Sequence, residues 1–363
     1  MTFAQGGTSI GNILYNISGT HHSENGTVMK ALRLHDIGEL RLHEESDPVA
    51  ADDEYVLLVT VVGLCGSDVH WYEQAGIGDA RLDRPLVLGH EFAGIIGSGD
   101  RQGQKVAVDP AIACHECRYC LEGNPNFCEN LRFAGHGTMD GALREKLCWP
   151  KSLVHVLPDE LTAVDGAMLE PLGVALHALS LGHVLPGMSV GIFGCGPIGL
   201  LLVQLVRAAG AAKIIATDRL ANRLDAARTF GASTAILATG GQENEEVDAA
   251  THGDGVDIAF EAAGDNGAVE TAILATRPGR QVILIGIPDD DRTVFRASVA
   301  RRKGLTLKLV RRMKHTYPLA IQMVKSGVVD VRSIVTHRFP LSEYKTAFEI
   351  AKKREGIKVV IEL

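Results

Sequence analysis

The sequence predicts an α/β chain that joins a mostly-β unit to a doubly wound parallel sheet. Residues 29–108 read as short apolar strands broken by glycine corners. From Pro171 to about Val310 strands and helices alternate, and a last apolar strand, IKVVIEL, closes the chain. At 363 residues, 46% hydrophobic and 22% charged, there is enough chain for two units that each bury a core.

Residues 1–27 have no basic start followed by an apolar stretch, and no small-residue cleavage site, so they do not read as a secretory leader. A flexible extension, or an upstream start codon ahead of Met29, is the expectation. The segments KALRLHDIGELRLHEE, EYVLLVTVVGLCG, GHEFAGIIG and QKVAVDP then supply the β unit. After Pro171 come the strand SVGIFG, a helix to Gly210, KIIATD, a helix to Gly231, TAILA, VDIAFE, a helix, and QVILIG. That order predicts right-handed crossovers in a parallel sheet. The polar stretch Gly240 to Asp254 reads as a surface loop.

Beyond Val310 a helix is expected over Pro318 to Ser326, ahead of IKVVIEL. One strand cannot make a domain, so it is expected to return to the first unit. The predicted division is 28–172 with 311–363 as one domain and 173–310 as the other.

The net charge of -8 is spread along the chain with no basic block, which argues against nucleic-acid or anionic-lipid partners. No apolar run nears the roughly 20 residues that span a bilayer. Small molecules and copies of the same chain are the partners left. Of seven cysteines, four fall between Cys114 and Cys128 at metal-ligand spacing rather than as scattered pairs. A reducing, cytoplasmic setting is inferred.

In GCGPIG, residues Gly194, Gly196, Pro197, Ile198 and Gly199 follow a strand directly and open a helix. The first glycine permits the tight turn, the second lets backbone reach a pyrophosphate, and the third allows close helix packing; the helix N-terminus attracts the phosphates. Asp218 ends the next strand, 19 residues after Gly199, where a carboxylate accepts hydrogen bonds from ribose hydroxyls. Such a carboxylate repels a 2'-phosphate, so a Rossmann-type domain that takes NAD is expected, although Arg219 and Arg223 are of the type that serves NADP.

Cys114, Cys117, Cys120 and Cys128 lie as CxxCxxC, a seven-residue gap and a fourth cysteine. Four thiolates close a tetrahedral zinc shell, which shapes a loop and leaves no position for chemistry; an iron–sulfur cluster uses similar ligands. A second set is open. Cys65 stands in LCGSDVHWY, and His90 with Glu91 follows 25 residues on in LGHEFAG. A thiolate, an imidazole and a carboxylate or water hold zinc with room for an alcohol oxygen.

GHE after the first cysteine, the CxxCxxC loop, LEPLGVALHA and GCGPIG in this order resemble the zinc-containing medium-chain dehydrogenase/reductase superfamily over residues 29 to 363. CGSDVH and LEPLGVALHA are similar to its sorbitol (polyol) dehydrogenase branch. The resemblance implies a GroES-like catalytic domain beside the Rossmann domain, with one catalytic and one structural zinc. It implies that Cys65, His90 and Glu170, with Glu91 beside them, surround the catalytic zinc, either glutamate being the direct ligand. Ser67 and His70 match positions that pass the alcohol proton to solvent. Trp71, Arg312 and Met313 match substrate-contacting positions; Ile198, Arg223, Gly286 and Ile287 match cofactor contacts, and Arg312 is counted with these too.

A homo-oligomer, tetramer or dimer, is implied through sheet edges around Gln281 to Ile287. Trp71 and Met313 replace tyrosines of the sorbitol enzyme, which leaves the particular substrate open. The segment from Glu91 to Val106 is shorter than usual, with GQKV for GDRV. The expected reaction moves hydride between a polyol or other secondary alcohol and NAD, giving ketose or ketone. A general alcohol or L-threonine dehydrogenase, or a non-catalytic dinucleotide sensor, is the alternative.

Overall fold

A computed structural model describes residues 28–363. The reading of residues 1–27 as an extension lies outside the described residues.

Six parallel strands form one sheet in the order Thr234–Leu237, Lys213–Asp218, Ser189–Phe193, Val256–Glu261, Thr276–Leu284, Thr306–Leu309. Numbered by sequence this is 3-2-1-4-5-6, the doubly wound order with its switch point beside the first strand. The strand Val256–Glu261 is buried at all six positions, as a central parallel strand covered on both faces must be. The apolar run of the helix Pro197–Ala208 packs one face, with Leu200, Leu201, Leu202 and Val203 fully buried.

Two expectations are corrected. The Gly240 to Asp254 stretch carries the helix Glu243–Ala250 rather than only a surface loop. Val247 is buried, and the Glu243 carboxylate accepts the Thr239 and Gly241 amides, so one apolar side chain and a turn of amide bonds suffice to fold a mostly polar segment. The edge expected around Gln281 to Ile287 is interior at Gln281–Leu284, which pairs outward with Thr306–Leu309. That last strand, TLKL, has no fully buried residue and so shows no continuous apolar signal.

In the β unit the strand Glu54–Gly63 pairs antiparallel with Glu91–Ile96, Lys146–Pro150 and Lys358–Glu362. The C-terminal strand also runs parallel to Val335–Pro340, with the helix Tyr344–Lys353 between the two in sequence. The helix Leu169–Gly182 runs unbroken from the β unit into the parallel-sheet unit, and its Leu169, Leu172, Ala175 and Leu176 share one core cluster with Leu200 and Ile283. A reciprocal amide pair ties the helix Pro197–Ala208 to the returning chain: Gln204 Nε2 donates to the Asp330 carbonyl at 3.0 Å, and Asp330 N donates to Gln204 Oε1 at 2.7 Å. Among the described residues no helix is long and apolar enough to cross a membrane.

Candidate metal centres and dinucleotide cleft

Cys65 caps the helix Gly66–Gln74, just after the strand Glu54–Gly63, and His90 directly precedes the strand Glu91–Ile96. The register Gly63 to Glu91 sets these two segments side by side. As a result the Cys65 sulfur, a His90 ring nitrogen and a Glu91 carboxylate oxygen lie within 4.8 Å of one another.

The surroundings suit a metal site. Asp68, fully buried, accepts the Cys65 amide at 2.9 Å and the Gly89 amide at 3.1 Å, and its Oδ1 stands 3.6 Å from His90 Nδ1. A carboxylate behind one ring nitrogen fixes the imidazole and leaves the other nitrogen as ligand. That other nitrogen, Nε2, lies 3.5 Å from Ser67 Oγ. Burial by itself would push the Asp68 carboxyl up, but His90 and the two amides outweigh it and hold it below the usual range. Thiolate, imidazole and carboxylate together are a zinc donor set with a position to spare.

Glu91 has a partner that the sequence did not announce. Lys358, on the C-terminal strand, is buried with its ammonium on the Glu91 carboxylate. Glu170, in the first turn of the helix Leu169–Gly182, is buried near the same corner but stands outside the close group of Cys65, His90 and Glu91. Burial pushes its carboxyl up to about 7, with the His90 charge opposing and Glu91 adding to the rise.

The wall beyond is aromatic and cationic. His90 packs on Phe133 at 5.2 Å between ring centroids, and the Arg312 guanidinium lies over the Phe133 ring at 4.1 Å. Trp71 is buried edge-on to His136 at 5.5 Å. Burial, then Arg312, pull the His136 imidazole down to about 4, so it is neutral at pH 7. Met313 is buried, where a Cβ on Gly173 would strike its sulfur. Half-buried His70 shares the Cys65 helix and reaches Asp289 Oδ1 at 3.6 Å. Phe133 ends the two-residue strand Arg132–Phe133, paired with Ala111–Ile112, and His136 lies in the turns after it; RFAGHG is too short for its composition to carry a periodic signal.

The sulfurs of Cys114, Cys117, Cys120 and Cys128 also lie within 4.8 Å of one another, and all seven cysteines are free of disulfides. Cys114 N donates to Cys128 Sγ at 3.3 Å and Cys117 N to Cys114 Sγ at 3.4 Å. Amides at Glu116 and Cys117 draw the Cys114 thiol down to about 6, whereas burial pushes the Cys120 thiol up to about 12. His115 is exposed at φ +59°, outside the set.

In the dinucleotide loop Gly194 adopts φ +102°, and a Cβ on Gly199 would come 1.9 Å from the Gly194 carbonyl oxygen. A Cβ on Gly196 would meet nothing nearer than Arg223 Nη1 at 3.8 Å. The first and third glycines are thus required by the fold, whereas the second leaves open space over the N-terminus of the helix Pro197–Ala208, where Pro197 and half-buried Ile198 form the first turn. Asp218 Oδ2 accepts the Cys195 amide at 2.7 Å and Oδ1 accepts the Leu220 amide at 2.8 Å, locking the acid to the loop. Both neighbouring arginines are engaged: Arg219 with Asp265 at 3.1 Å, and Arg223 with the Gly356 carbonyl at 3.2 Å.

Gly286 and Ile287 lie just past the end of the strand Thr276–Leu284, and a Cβ on Gly286 would sit 2.0 Å from Gly264 N. Carboxyl ends of strands at the switch point are where such sheets bind dinucleotides. Glu261, also unread in the sequence, accepts the Ala263 and Gly264 amides there, each at 2.7 Å.

Two family models match: the zinc-binding dehydrogenase family over residues 197–326 and the alcohol dehydrogenase GroES-like domain over residues 51–159. The sorbitol dehydrogenase of Bacillus subtilis is 33% identical, over 92% of this chain and 97% of its own. A probable D-xylulose reductase A of Neosartorya fischeri is 35% identical, over 90% of this chain and 95% of its own. An alcohol dehydrogenase from Escherichia coli, solved with the cofactor NADH, superposes with a TM-score of 0.85 at 26% identity, covering 93% of this chain and 100% of that one.

Proposed function

This chain belongs to the zinc-containing medium-chain dehydrogenase/reductase superfamily, in its sorbitol dehydrogenase branch, and on that premise we propose that it moves hydride between a polyol carbinol carbon and NAD, forming the ketose. It is an oxidoreductase that uses NAD and zinc. The observation that carries the reading is the close group of Cys65, His90 and Glu91 with Asp68 behind His90.

Cys65, His90 and Glu91 are the residues that would hold the catalytic ion, with Glu170 facing them as the neighbouring carboxyl. Zinc bound there supplies Lewis-acid polarisation of the substrate oxygen. Ser67, whose hydroxyl is 3.5 Å from His90 Nε2, takes the alcohol proton. His70, three residues on along the same helix, receives it and passes it towards the exposed Asp289. Trp71, Arg312 and Met313, with Phe133 and His136, wall the substrate; Arg312 supplies the charged donor for a second hydroxyl. Gly194, Gly196, Pro197, Ile198, Gly199, Asp218, Arg223, Gly286 and Ile287 line the dinucleotide path, and Asp218 accepts from the ribose. Cys114, Cys117, Cys120 and Cys128 would hold the structural zinc.

The domains are assigned as 28–172 with 311–363 for catalysis and 173–310 for NAD. Seven cysteines without a disulfide fit a reducing, cytoplasmic setting, and a homo-oligomer, tetramer or dimer, is the assembly proposed. Buried Trp71 and Met313 favour a second reading, a simple secondary alcohol as substrate. NAD reduction assayed with xylitol, sorbitol and galactitol against ethanol, 2-butanol and L-threonine separates the two. Polyols are expected to win; faster turnover of 2-butanol, ethanol or L-threonine overturns the polyol reading.

A further inference from the structure

Arg312 has left-handed backbone, φ +56°, with a full side chain, as does His315 at φ +51°. Non-glycine residues hold this conformation only where the surroundings impose it. The Arg312 side chain is no less constrained: its guanidinium lies over Phe133, which itself packs on His90, and its Nη1 is buried without a hydrogen-bond partner. A buried donor in that state is poised for an acceptor that arrives from outside the chain.

What imposes the backbone comes from the four-cysteine lobe. Asn126, 4% exposed and two residues before Cys128, donates through Nδ2 to the Arg311 carbonyl at 3.2 Å. In return Arg311 Nε donates to the Asn126 carbonyl at 3.1 Å. A second staple follows at Lys314, whose Nζ reaches Asn124 Oδ1 at 2.7 Å. The strained Arg312 and the buried Met313 are therefore held between two clasps, both anchored on one short turn, Asn124 to Cys128, that ends on a cysteine of the lobe.

We propose that Asn126 is a positioning residue for substrate recognition: through Arg311 it sets the Arg312 guanidinium against the wall of the cleft, so that the four-cysteine lobe supports polyol affinity as well as local folding. This rests on the reading that Arg312 hydrogen-bonds a substrate hydroxyl. Asn126 touches neither substrate nor cofactor in this account. Its effect passes through the carbonyl next to Arg312.

The test compares Asn126→Ala, Lys314→Met, Arg312→Ala and the Asn126→Ala/Arg312→Ala double variant, with KM and kcat measured for xylitol and for 2-butanol, which has no second hydroxyl. Zinc content and the Kd for NADH are measured on the same samples. Loss of one buried hydrogen bond predicts that Asn126→Ala raises the KM for xylitol about fivefold, with kcat and the 2-butanol KM little changed. Lys314→Met, outside the lobe, shifts xylitol the same way and serves if Asn126→Ala loses zinc. In the Arg312→Ala background Asn126→Ala adds nothing further. Equal effects of Asn126→Ala and Lys314→Met on both alcohols, or full additivity with Arg312→Ala, overturn the positioning role. If Arg312→Ala itself fails to separate xylitol from 2-butanol, the Arg312 reading falls, and the positioning role falls with it.

Discussion

Asp68 Oδ1 stands 3.6 Å from His90 Nδ1 while the same carboxylate accepts the amides of Cys65 and Gly89. One buried acid thus orients one candidate ligand and holds the backbone of another. Asp68→Asn removes the charge without changing the shape. Zinc affinity at the Cys65 site is expected to fall about 10–100-fold, read by competition with a chromophoric chelator. An unchanged affinity would show that His90 needs no support from Asp68.

Lys358 and Glu91 form a buried ion pair, 3% and 2% exposed at their side chains. Removing one member strands the other's charge. Lys358→Met is expected to destabilise the fold by about 3–5 kcal/mol, measured by urea unfolding, and Lys358→Met/Glu91→Gln to recover much of that loss. A loss in the double variant as large as in the single would place the cost in packing instead.

The Asp218 carboxylate, tied to the Cys195 and Leu220 amides, is the acid proposed to accept from the ribose. Asp218→Ala is expected to raise the KM for NAD about tenfold or more and to improve use of NADP, since the repulsion of a 2'-phosphate goes with the charge. Steady-state kinetics with both cofactors decide it; an unaltered cofactor preference would contradict the assignment.

Much of this site was legible because its chemistry is local in the chain. The spacing of Cys114 to Cys128 and the pattern Gly194 to Gly199 each bring their groups together over a few residues, whatever the rest of the fold does. Asp68 lay in plain view inside CGSDVH, but an acid in the first turn of a helix reads equally as a cap. Lys358 in IKVVIEL reads as the polar position of a strand. Only the pairing of that strand with Glu54–Gly63 turns it towards Glu91. Phe133, Asn126 and His136 lie in a two-residue strand, a single 3-10 turn and the turns between strands, elements too short to show a period. In the parallel sheet the strands buried on both faces were visible, and the half-exposed edge strand Thr306–Leu309 was not.

Asp165 couples pH to stability away from the metal sites. Burial would push its carboxyl up, but the Arg332 guanidinium and the Thr162 hydrogen bonds outweigh that and hold it below the usual range. A carboxyl depressed by folding stabilises the protein above its unfolded value and ceases to as pH falls through the lower folded value. Arg332 is half exposed, so solvent screening limits the worth of the pair to about 1 kcal/mol. Asp165→Asn is therefore expected to lower stability at pH 7 and to approach the parent protein as pH drops below about 3.9. Thermal unfolding across that range gives the answer; a gap that stays constant into acid would rule out the ion pair as its source.

Cys65, with His90 and Glu91, is proposed to hold the zinc on which polyol oxidation depends. Zinc per chain, NADH binding and xylitol-dependent NAD reduction, measured together on the parent protein and on Cys65→Ser, test this. Two zinc ions are expected in the parent and one in the variant, with NADH bound equally by both and xylitol oxidation lost from the variant. A variant that keeps both ions and oxidises xylitol at the parent rate would contradict it.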